Sequence, residues 1–112
     1  MKTLLLVFVI GVLIANACSK TKTVASIDCS TAKSWSSDVS PVILSSCSYS
    51  SGCHASGSSK GPGALVTYQQ VYNNRAAVRS SVVSGRMPEQ GSLSAAALSA
   101  IVCWFDAGAA EN

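Results

Sequence analysis

Charge is scarce in this chain: 12% of its 112 residues are Asp, Glu, Lys or Arg, and the formal net charge is only +3. A balance so weak and dispersed excludes an electrostatic nucleic-acid binder, which needs a dense basic face. Histidine occurs once, as His54, and the carboxylates are scattered. No Ser-His-Asp arrangement or zinc site can be assembled from one imidazole, and Glu89 and Asp106 make no convincing acid/base pair. Large apolar side chains are also few beside the many Ser, Ala and Gly, so a core built from them alone is marginal and gains from a staple or a buried cofactor. Sustained alternation of apolar and polar residues is missing from the mature chain. The expected fold class is therefore all-α, a small helical domain.

The one long apolar run is N-terminal. Lys2 supplies a positive start, and Leu4 to Ile14 is apolar except for Gly11. This is a targeting segment, too short to span a bilayer comfortably. It ends at Ala15-Asn16-Ala17-Cys18, followed by the polar Ser19-Lys20-Thr21-Lys22-Thr23. A cysteine just after the cleavage point is what a bacterial lipoprotein needs to carry diacylglycerol, so Cys18 is the expected lipidation site. The alternative is ordinary cleavage and release as a free exported protein. The division expected is residues 1–17 as signal peptide, 18–35 as lipidated cysteine and flexible tether, and 36–112 as the domain. Removal of 17 residues leaves 95, enough for one small domain, and loss of Lys2 reduces the charge to +2.

Within the domain, Ser40-Pro41 suggests an N-cap followed by proline in the first turn, with a short helix over Pro41–Ser46. Residues 56–63 hold Gly57, Gly61, Pro62 and Gly63 and form a surface loop. Thr67-Tyr68-Gln69-Gln70 is a capping box opening a helix whose Tyr68, Val71 and Tyr72 share one face. A further helical piece is expected over Arg75–Val83, ended by Gly85. The closing helix runs Ala95–Ala107 from Ser94 to Gly108, with Leu98, Ile101, Val102 and Phe105 on one stripe and Ala97, Ile101 and Trp104 on a second. Apolar over so wide an arc, it must dock on more than one side.

Chemistry concentrates in Cys47-Ser48-Tyr49-Ser50-Ser51-Gly52-Cys53-His54. Two thiols followed at once by a histidine is the arrangement that attaches a c-type haem: each thiol adds to one vinyl group, and the adjacent imidazole ligates the iron. Five residues separate these cysteines where C-x-x-C-H has two, and a disulfide loop beside a surface histidine would produce the same pattern. With Cys18 lipidated, four cysteines remain. An even number suits an oxidising compartment, and with Cys47 and Cys53 as a local set, Cys29 and Cys103 are the expected disulfide, Cys103 turning its thiol from the flank of the closing helix toward the N-terminal segment.

Taken in order, Ser40-Pro41-Val42-Ile43-Leu44, Cys47, Gly52-Cys53-His54, Thr67-Tyr68-Gln69-Gln70-Val71, Met87-Pro88, Gly91-Ser92-Leu93-Ser94 and Ile101 to Ala109 resemble small cytochrome c-like domains of exported bacterial lipoproteins, particularly of Bacteroidetes. The resemblance spans roughly residues 36–110. It implies haem c, with Cys47 and Cys53 as thioether positions, His54 as proximal iron ligand and Met87 as distal ligand. With both axial positions filled, it implies an electron carrier and not an enzyme, working with redox partner proteins at the periplasmic or outer-membrane face and held to the membrane by its lipid. Glu89 follows Met87-Pro88 where relatives commonly have proline. Two other readings remain open: a haem-free, disulfide-stapled lipoprotein acting as a binding or assembly module, and a redox dithiol protein using Cys47 and Cys53. Tyr68, Tyr72, Trp104 and Trp35 are expected first as packing residues, and Arg75, Arg79 and Arg86 as solvated charges with the option of pairing with haem propionates.

Overall fold

The computed structural model describes residues 22–112. The expected signal peptide, residues 1–17, and the expected lipidation site Cys18 lie outside the described residues. Among the latter there are four α-helices and no strand: α1 (Ser40–Ser46), α2 (Tyr68–Asn73), α3 (Arg75–Val83) and α4 (Ala95–Asp106), with a π-helical turn over Trp35–Val39 leading into α1. None of these helices is long and apolar enough to cross a membrane.

α4 is the central element. Leu98 to Phe105 are all buried, as the double apolar stripe requires, and Val39, Ile43, Val71, Val78 and Val82 close around them. Its N-terminus is capped by Ser94, whose hydroxyl accepts from the Ala97 amide at 3.1 Å, and beyond its end Gly108 turns the chain at φ +105°. The capping box of α2 forms as expected, with Thr67 Oγ1 accepting from Gln70 N while Gln70 Oε1 accepts from Thr67 N.

The start of α1 differs from the expected one. Ser40 is already helical and Val39 holds the cap position without a side-chain bond. The winding begins earlier, at Ser34, whose hydroxyl accepts from Ser37 N while Asp38 Oδ2 accepts from Ser34 N at 2.8 Å. This reciprocal cap satisfies the first free amides, so Pro41, in the first turn of α1, continues a winding that another serine has opened.

Cys29 and Cys103 are joined, with Cα atoms 5.4 Å apart, and Asp28 N donates to Ser99 on the same helix. The bond pins the N-terminal segment to α4. Upstream of it, residues 22–25, placed in a flexible tether by composition, lie on the domain, with Val24 and Ala25 packed against the core. The aromatic residues cluster behind α4: Trp35 contacts Tyr68 and Trp104 at centroid distances of 5.7 and 5.4 Å, and Tyr68 stacks on Tyr72. Tyr68 Oη donates to Ala109 O and Trp104 Nε1 to Ala110 O, so both polar tips are satisfied while the rings fill the core.

Candidate functional site

The loop after α1 closes on itself. His54 N donates to Cys47 O at 3.0 Å, which ties together the two ends of the long cysteine spacing. The intervening residues form turns held by Cys53 N and Ala55 N on Ser50 O. Leu65 N then bonds His54 O, and the buried Ser48 hydroxyl donates to Leu65 O at 2.8 Å. Five intervening residues are therefore absorbed as a bulge, and Cys47, Cys53 and His54 still face a common space.

That space is a pair of adjoining cavities. The larger, of about 510 Å³, is bounded by Cys47 and His54 from the loop, Leu65 beyond it, Val78 and Val82 of α3, and Met87. A second, of about 220 Å³, is bounded by Cys53 together with the same Cys47, His54 and Met87. All four residues singled out for cofactor binding thus meet at one place, although Met87 comes from a segment far from the others in sequence. A largely apolar cleft of this size, with a few polar groups, falls in the range of about 300–1,000 Å³ usual for small-molecule and cofactor sites.

His54 is buried and its ring is oriented: Nδ1 lies 2.9 Å from Gly63 O, a contact in which Nδ1–H donates and the tautomer is fixed. Among the described residues Nε2 has no hydrogen-bond partner, and none of their fully buried side-chain nitrogens is left unsatisfied. Nε2 therefore keeps some accessible surface, on a ring that lines both cavities. The glycine-rich loop supplies this arrangement through Gly63, at φ +85°, a conformation side chains rarely tolerate.

The two thiols are free and differ in character. Burial, reinforced by the neighbouring Cys53 sulfur, pushes Cys47 up to about 11. Hydrogen bonds from Tyr49 and Ser50 hold Cys53 below its ordinary value, against a smaller opposing effect of burial. Among the described residues, no cluster of three or more His, Cys, Asp or Glu side chains could chelate a metal ion directly. The donors that line the cleft are one imidazole, one thioether and two thiols.

Other expected residues go elsewhere. Trp35, Trp104, Tyr68 and Tyr72 border neither cavity. Arg79 pairs with Asp106 at 2.7 Å, and Arg75 sits over the Tyr72 ring at 4.2 Å. Arg86 alone of the three arginines lines the larger cavity. Set beside known families, curated proteins and solved structures, the chain matches none of them. The residues themselves must carry the argument. Gly63, Tyr49 and Ser50 escaped the reading of the sequence because their contributions are a carbonyl and two hydroxyls on irregular loops, for which no spacing rule exists.

Proposed function

We propose that this protein is an exported, lipid-anchored electron carrier with a small cytochrome c-like domain and one covalently attached haem c. The observation that carries the reading is the convergence of Cys47, Cys53, His54 and Met87 on one apolar cleft, with His54 held by Gly63 so that Nε2 is available there. Cys47 and Cys53 would hold the group by thioethers, each S–H adding across a vinyl double bond, sulfur to one carbon and hydrogen to the other, with nothing released. Both sulfurs are unbridged and therefore available for that addition, whereas the haem-free module most simply has them joined.

When bound, the haem iron supplies a one-electron couple. His54 would offer an imidazole nitrogen, and Met87 a soft thioether that favours the reduced metal. Leu65, Val78 and Val82 give the cleft an apolar wall. Were His54 and Met87 both to ligate the iron, no open position would remain for a substrate, which favours electron transfer over catalysis. Arg86, on the cleft wall, is the cation placed to meet a propionate. Cys18 anchors the carrier at the periplasmic or outer-membrane face, where redox partner proteins reach it.

Met87→Ala tests the assignment. The variant keeps its haem, has a lower reduction potential and binds added imidazole, read by potentiometry and absorption spectra. An unchanged spectrum and potential would make Met87 a packing residue. His54→Ala is more severe and impairs haem attachment as well as folding, because the metal bond also organises the domain.

A further inference from the structure

The chain leading toward Cys18 is fastened to the cleft. Lys22 Nζ donates to the carbonyl oxygens of Pro88 and Glu89, the latter at 3.0 Å. Two residues on, Val24 covers Gly85: a Cβ added there would lie 3.0 Å from Val24 Cγ2 and 3.3 Å from Lys22 Cβ. Gly85 also has φ +73°, so two independent constraints keep that position bare beneath the segment. Residues 22–24 therefore lie across the loop that carries Met87, and Met87, Pro88 and Glu89 border the smaller cavity.

Length decides what this fastening does. A tether free as far as residue 35 would reach up to about 60 Å from Cys18 and leave the domain unoriented, since an extended residue spans at most about 3.6 Å. Fastened at Lys22, only four residues beyond Cys18, the reach falls to about 14 Å. We propose that Lys22–Val24 is a strap that turns the Gly85–Glu89 rim of the cleft toward the lipid surface, so that electrons crossing this rim pass to or from a partner borne by the membrane. The orientation rests on lipidation of Cys18 alone, whereas the passage of electrons across this rim rests on the haem reading proposed above. The rim is compatible with a bilayer surface: Gln90, Gly91 and Ser92 are exposed, and its one cation, Arg86, balances its one acid, Glu89, so that no net charge opposes anionic head groups.

Hydrogen exchange of the full lipidated protein on vesicles of phosphatidylethanolamine and phosphatidylglycerol in equal amounts tests it, with flotation as the measure of anchoring. Amides of residues 85–92 should exchange more slowly on vesicles than in the unlipidated Cys18→Ser protein, while those of 107–112 do not change. A flexible Gly-Ser spacer between Ser19 and Lys20 should abolish that protection without preventing flotation, and Lys22→Ala should weaken it. Protein that fails to float, that floats without protection of 85–92, or that keeps the protection with the spacer present overturns the proposal. Haem content, read from the absorption of the same samples, separates this outcome from failure of the electron-carrier reading.

Discussion

Cys47 and Cys53 line the same cavity, yet burial and hydrogen bonding drive their proton affinities apart. For Cys47 the folded-state value, about 11, stands above its ordinary 9.0. The folded protein thus holds this proton more tightly than the unfolded chain, and the resulting stability is complete below about pH 9 and lost as the pH rises through about 11. A shift of this size corresponds to roughly 2–3 kcal/mol. In reduced apoprotein, urea unfolding across this alkaline range should show that loss relative to Cys47→Ala, and parallel profiles would contradict it. Once Cys47 is a thioether it has no proton to lose, so the alkaline effect disappears from haem-bearing protein. As residue types, Cys47, Cys53, His54 and Met87 were legible in the sequence; the environment that sets each apart was not. It depends on the Gly63 carbonyl nine residues beyond His54 and on α3 side chains brought in by packing.

Among the elements, those with local punctuation were readable and those wound by tertiary context were not. The capping box at Thr67 and the cap at Ser94 lie where the pattern puts them, because a hydroxyl three residues before a free amide needs no distant partner. Ser40-Pro41 misled for the same reason: proline suits any first-turn position, whereas the true start depends on the Ser34–Asp38 pair, one residue outside the usual box spacing. The box at α2 gives a direct check. Thr67→Ala should lower stability to denaturant by about 1 kcal/mol and leave the cleft chemistry intact, since Thr67 is exposed and borders neither cavity. A loss near zero would mean that packing of Tyr68 and Val71 alone fixes the helix start.

For the whole molecule, parity of cysteines correctly paired Cys29 with Cys103, a bridge closing 74 residues and worth roughly 4 kcal/mol on the chain-entropy account. That staple serves a domain whose apolar core is small, and it leaves Cys47 and Cys53 free at the cleft. The extent of the ordered N-terminal segment was illegible, because Ser, Thr and Lys signal a solvated tether unless carbonyls elsewhere, here those of Pro88 and Glu89, receive the lysine. The central claim is that Cys47 and Cys53 fasten a haem beside His54, and its most direct test is the mass of the protein purified from its native host, where the maturation machinery has met this long spacing. One haem per chain should remain after denaturing acid and map to the peptide containing both cysteines. A colourless chain whose Cys47 and Cys53 are thiols or a disulfide would contradict the account.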